Sequence, residues 1–181
     1  SINNAIKECA NKGGGTVLIP KGEYISGTIH LKSNVNLHLE TGSFLIGSLD
    51  IDDYGVMPDG YYYSGKNLMG LIFANDVENI SITGEGVLDG RGTSFMKKNT
   101  RFAPSKEQRK YTRQKEKFRD DIKLEDGPLE YNERPGHILT ISNSENILIQ
   151  NIRFIDAPKW TIRIGGSDNV KISQITINNN I

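Results

Sequence analysis

The sequence has one cysteine, Cys9, in 181 residues. Internal disulfides are therefore excluded, and so are zinc or iron–sulfur sites built on several thiolates. It also has no net charge, with 22 Lys and Arg against 22 Asp and Glu. That balance argues against a chain whose main business is holding nucleic acid or an anionic membrane surface. No apolar run approaches the roughly 20 residues that a membrane-spanning helix requires. Ser1 opens directly into a helix-like pattern rather than a secretory leader. Tryptophan is almost missing as well, with Trp160 the sole example.

What is abundant is isoleucine, glycine and asparagine, at 23, 19 and 17 residues. Isoleucine suits a pleated, half-buried backbone, and glycine and asparagine suit tight corners with positive φ. The combination predicts many short strands with frequent turns. Residues 1–12 are the exception. Ile2, Ala5, Ile6, Cys9 and Ala10 fall on one helical stripe, and Gly13-Gly14-Gly15 ends it. Strands are expected at Thr16–Ile19, Glu23–Ile25, Thr28–Leu31, Asn36–Leu39 and Ser43–Ile46.

One tripeptide recurs before an alternating strand: Ser33-Asn34-Val35, Glu78-Asn79-Ile80, Glu145-Asn146-Ile147 and Asp168-Asn169-Val170. The asparagines are 45, 67 and 23 residues apart. These intervals read as about two, three and one units of a 22–23-residue period, which points to a solenoid. An antiparallel sandwich with asparagine turns would explain the strands but not the repeat. In a parallel solenoid, inward side chains stack in apolar columns and corner asparagines bond the asparagine one coil away. The amphipathic first helix would then close the open end of the first coil. The domain expectation is a single β-helix segment over 1–181, with a capping helix at 1–12 and an insertion at 94–134, truncated at both termini. Within that insertion, ten Lys or Arg in 97–119 and a run from Ser105 to Arg119 suggest a basic surface helix.

Four stretches carry a closer likeness. They are Gly13-Gly-Gly-Thr-Val-Leu-Ile-Pro20-Lys-Gly-Glu-Tyr24, Leu31-Lys-Ser-Asn-Val-Asn-Leu-His-Leu-Glu40, and Glu78-Asn-Ile-Ser-Ile-Thr-Gly-Glu-Gly-Val-Leu-Asp89-Gly90-Arg-Gly92. The fourth joins Glu133-Arg134-Pro135 to Asp156-Ala-Pro158-Lys-Trp160-Thr-Ile162. In these the chain resembles glycoside hydrolase family 28, the polygalacturonase-like enzymes. The resemblance implies an all-β fold, a right-handed parallel β-helix, secreted or periplasmic. It implies inverting hydrolysis of α-linked galacturonate-containing chains, with a pectin-type polysaccharide as partner and no cofactor, metal, nucleic acid or membrane.

Inversion requires a carboxylic acid on the leaving oxygen and a carboxylate that activates water. The family supplies them from Asn-Thr-Asp, Asp-Asp, Gly-His-Gly and Arg-x-Lys motifs. None of these is in this sequence, and the pattern places the catalytic residues downstream of Ile181. The chain is thus expected to be the non-catalytic front of a hydrolase and inactive alone. Asp52-Asp53 and Asp120-Asp121 lie in the wrong stretches for that role. His30, His38 and His137 flank strand residues and are read as outward polar positions. Trp160 and Arg163 remain as substrate-binding candidates, one stacking on a sugar ring and the other pairing with a carboxylate. The family usually has histidine where Arg163 stands. Trp160 could equally be a core or corner aromatic, and Arg134-Pro135 could simply restart the coil. Two other functions share the scaffold: a polysaccharide lyase, which would need calcium-binding carboxylates, and a non-catalytic carbohydrate-binding solenoid.

Overall fold

The computed structural model describes residues 1–58, 67–101 and 129–179. The first element, α1 (Ile2–Asn11), is N-capped by Ser1, whose hydroxyl accepts the Asn4 N–H. It closes the N-terminal end of the core with Ile6, which is fully buried. Asn3 fixes the helix to the first coil, donating to the Thr28 carbonyl and accepting the His30 N–H. An edge-strand donor is thereby satisfied instead of left open.

Five coils follow. The first carries β1 (Gly15–Ile19), β2 (Gly22–Ser26) and β3 (Ile29–His30). The second carries β4 (Val35–Leu39), β5 (Ser43–Gly47) and, after an excursion, β6 (Ile72–Asn75). The third has β7 (Glu78–Gly84) and β8 (Val87–Asp89). It then leaves the solenoid through β9 (Met96–Arg101), returns through the antiparallel β10 (Leu129–Tyr131), and resumes at β11 (Leu139–Ser142). The fourth is β12 (Glu145–Gln150), β13 (Arg153–Ile155) and β14 (Ile162–Gly165), and the fifth β15 (Asp168–Ser173) and β16 (Thr176–Asn178). Strands of successive coils pair in parallel to give three sheets, ordered β1-β4-β7-β12-β15, β2-β5-β8-β13-β16 and β3-β6-β11-β14. The expected β-solenoid is therefore the fold. The proposed helix at 105–119 and Asp120-Asp121 lie outside the described residues.

Register builds the core. Val17, Leu37, Ile82, Ile149 and Ile172 align across the five coils of the first sheet. Leu37, Ile82 and Ile149 are essentially inaccessible, while Ile172, in the last described coil, is 42% exposed. Phe154 is fully buried beneath the second sheet.

Asn34, Asn79, Asn146 and Asn169 occupy one corner with φ of 63, 54, 57 and 51°. The side-chain amides of Asn79, Asn146 and Asn169 each donate to the Oδ1 of the asparagine one coil earlier, at 2.9, 3.0 and 2.6 Å. This corrects the spacing arithmetic. The four belong to consecutive coils, so the intervals of 45 and 67 residues are single coils lengthened by excursions. The extra residues leave the solenoid before the third sheet, at the same corner in both coils, and the ladder passes them by. Asn146→Gly is expected to cost about 1–2 kcal/mol, for two partly exposed hydrogen bonds. Asn146→Ala should cost about 1 kcal/mol more, because alanine does not rest in the left-handed region. Urea midpoints of the two variants check this; equal midpoints would remove the backbone share.

Candidate functional site

The third sheet is short and its strands are unevenly covered, and a cleft opens at its later coils. Strands β11 and β14 hold Thr140 and Arg163 in register on the outward face. The turn between β13 and β14 adds Lys159 and Trp160. The segment that returns from the third-coil excursion adds Tyr131, Glu133, Arg134 and His137. Together with residues of the second-coil excursion these line a cleft of about 460 Å³. That is a size typical of small-ligand sites.

His137 and Trp160 are 23 residues apart, one coil, so the solenoid stacks them. Their rings are nearly parallel at 15°, with centroids 5.1 Å apart. The Trp160 backbone N–H donates to His137 Nδ1 at 3.1 Å, which places the imidazole proton on Nε2. Trp160 itself is 61% exposed. It is therefore not a core aromatic, and one indole face lies on the histidine. Arg134 lies 3.4 Å over the Tyr131 ring and donates from Nη1 to the Pro158 carbonyl at 2.6 Å. Its Nε is buried with no hydrogen-bond partner among the described residues.

The turn carrying Trp160 is held at both ends. Asp156 accepts from the Thr93 N–H and hydroxyl, in the turn that begins the third-coil excursion. Asn179, one coil on, accepts the Ala157 N–H at 3.0 Å and donates to Thr161 Oγ1 at 2.5 Å.

Electrostatically the cleft is cationic. Burial pulls the Lys159 ammonium below its usual range, and the Arg134 charge pulls in the same direction. Arg134 is likewise lowered by burial, against the favourable influence of Tyr131. His137 falls from 6.5 to about 4, through burial first and then Lys159, Arg163 and Arg134. Three cations gathered around one exposed indole are an arrangement suited to an anionic ligand.

The histidine gives a pH prediction. Its folded-state value lies below that of the unfolded chain. At pH above 6.5 it is neutral in both states and adds no pH dependence. As the pH falls from 6.5 toward 4, the unfolded chain binds the proton and the folded one does not, so stability declines across that window. His137→Gln should flatten that part of a stability-versus-pH curve. An unchanged slope would show that the imidazole titrates normally.

The two residues singled out from sequence, Trp160 and Arg163, both line the cleft. His137, read as an ordinary outward polar residue, is half-buried beneath Trp160. Arg134, read as a possible coil restart, reaches the cleft too, as does Lys159, which no motif singles out. The 23-residue spacing of His137 and Trp160 was the available signal, since it equals the Asn146–Asn169 interval. His30 is also half-buried, edge-on to Phe73 at 6.0 Å, and His38 bonds Thr83 Oγ1 at 2.8 Å on the first sheet. Neither lines the cleft.

The family model of Glycosyl hydrolases family 28 matches residues 9–181. A probable polygalacturonase of Vitis vinifera is 26% identical over 187 residues, covering 98% of this chain and 33% of that protein. A polygalacturonase of Ralstonia solanacearum is 34% identical over 104 residues, covering 52% of this chain and 19% of that protein. Among solved structures, the family 28 exopolygalacturonase of Yersinia enterocolitica superposes with a TM-score of 0.69 at 25% identity, covering 98% of this chain and 35% of that one. The chain thus spans a third or less of the length of these two sequence relatives.

Proposed function

Because the chain belongs to glycosyl hydrolases family 28, we propose that the whole protein hydrolyses pectin-type polysaccharides, cutting α-linked galacturonate-containing chains with inversion. The observation that carries this reading is the cleft, where Arg134, Lys159 and Arg163 gather beside an exposed indole. A polyuronate presents one carboxylate per ring and flat sugar faces between them. Guanidinium groups pair with carboxylates in a planar fork, an ammonium adds a point charge, and an indole stacks on the ring. A neutral polysaccharide offers such a cleft stacking and hydrogen bonds but no carboxylate for its cations. The proposal also places the action outside the cytoplasm, where a polymer too large to cross a membrane is found.

In the full-length protein, Trp160→Ala and Arg163→Ala should each weaken trigalacturonate binding by about 1–3 kcal/mol, on the order of tenfold to a hundredfold. The loss at Arg163 should shrink as salt is raised, because screening weakens an ion pair. The loss at Trp160 should not. The measurement is titration calorimetry at two salt concentrations under conditions of negligible turnover, with maltotriose as the neutral control. Binding by both variants equal to the parent's at both salts would take these residues out of the site.

A further inference from the structure

We infer that this cleft takes the end of a uronate chain and does not thread its interior. The inference rests on the uronate reading above and adds the mode of attack.

A polymer lying along the third sheet would cross one coil about every 4.8 Å. The outward residues it would meet are in register: His30, Phe73, Thr140 and Arg163, on coils one to four. An open groove would leave that row accessible from end to end. It is not accessible. Arg163 is half-exposed and Thr140 floors the cleft, but Phe73, one coil earlier, is only 5% exposed and is not part of the lining.

The obstruction is a wall over coil two. Both long excursions leave the solenoid before the third sheet, and their described returning segments meet there. In the second-coil excursion, Val56 and Leu68 form an antiparallel bridge. Around it, the Met57 N–H donates to the Asn67 carbonyl at 2.8 Å, and that of Met69 to the Gly55 carbonyl at 2.7 Å. The returning segment of the third-coil excursion is bonded to it, Gly136 N–H to the Met69 carbonyl at 3.0 Å. The two backbones touch through glycines. A Cβ on Gly136 would lie 2.5 Å from the Leu68 carbonyl oxygen, and one on Gly70 would overlap the His137 carbonyl. No room for a sugar ring remains between them. Met57, Asn67 and Leu68 face the cleft from this wall.

The floor from Arg163 to the wall therefore spans roughly two coil spacings, about 10 Å, enough for one or two sugar rings. A uronate chain lying along this floor must stop at the wall. Arg134 and Lys159 then lie where the terminal carboxylates come to rest.

The test uses the full-length protein on polygalacturonate and on hexagalacturonate blocked at one end or the other: reduced to the alditol acid at the reducing end, or 4,5-unsaturated at the non-reducing end. The expected result is release of one short product size from the first time points, with little early loss of viscosity. One of the two blocks should slow cleavage at least tenfold, and the other should leave it unchanged, which also identifies the end that enters. A spread of product lengths with a sharp early fall in viscosity, and equal cleavage of both blocked hexamers, would overturn the inference while leaving the uronate reading intact. No cleavage of any uronate substrate, together with no binding of trigalacturonate, would sink the hydrolase reading and this inference with it.

Discussion

Purified residues 1–181, incubated with polygalacturonate, are expected to release no reducing ends above a buffer control. Inverting hydrolysis needs two carboxyl groups roughly 6.5–9.5 Å apart across the scissile bond. Among the described residues lining the cleft, Glu133 is the one carboxylate. Asp89 and Asp156 end neighbouring strands of the second sheet, and their side chains are occupied there. Asp89 accepts the Arg91 N–H at 2.8 Å, and Asp156 anchors the Thr93 turn. Burial raises the Asp89 carboxyl, with the Asp156 charge a smaller push in the same direction. Neither lines the cleft. A cationic, aromatic site with one carboxylate can bind and orient a uronate, yet it cannot supply both the general acid and the general base, each worth about 10²–10⁴-fold. A reducing-sugar assay against the full-length protein, with a melting curve to show that the chain is folded, decides the matter. Release by the folded chain well above buffer would mean that the reacting groups lie among these residues and that the site has been drawn in the wrong place.

The second large effect is structural and concerns Gly70→Ala. The new methyl would overlap the His137 carbonyl oxygen, lie 2.6 Å from its carbon, and come within 3.2 Å of the Gly136 carbonyl carbon. All three are backbone atoms, and that backbone cannot step aside cheaply. The Gly136 N–H is committed to the Met69 carbonyl, and the Ile138 and Leu139 N–H groups to the Trp160 and Thr161 carbonyls of the next coil. The expected cost is about 3 kcal/mol or more, the upper range for overpacking. Since His137 carries Trp160, trigalacturonate binding should fall with stability. Gly13→Ala is the control. Its φ of +95° strains an alanine, but nothing lies within 4 Å of the added methyl, so about 1 kcal/mol is expected. Denaturant midpoints separate the two. A Gly70→Ala midpoint matching that of Gly13→Ala would show that the wall and the returning segment do not meet as described.

The sequence by itself determined the cap helix, the corner asparagines and most strands of the first two sheets. Each is a local signal: a helical stripe ended by glycines, a left-handed residue type, or a period-two alternation. Alternation is readable in β4 because Val35, Leu37 and Leu39 are buried while Asn36 and His38 are half-exposed. The same signal is weaker where the cleft is built. Ile72–Ala74 in β6 and all four residues of β11 are buried. Phe73 stands where β6 would carry a polar residue, and β11 keeps the alternation for only four residues, Leu139-Thr140-Ile141-Ser142, too short a run to mark a strand. The sequence also recorded only the distance between ladder asparagines, and a coil with an excursion is as long as two or three plain ones. Only the tertiary structure decided that Asn34, Asn79 and Asn146 are neighbours. It also decided that both excursions leave at one corner, and that Arg134, His137, Lys159, Trp160 and Arg163 converge in one cleft. The physical reason is that parallel pairing joins residues a whole coil apart, so register, burial and the meeting of charges are non-local properties that no window along the chain contains.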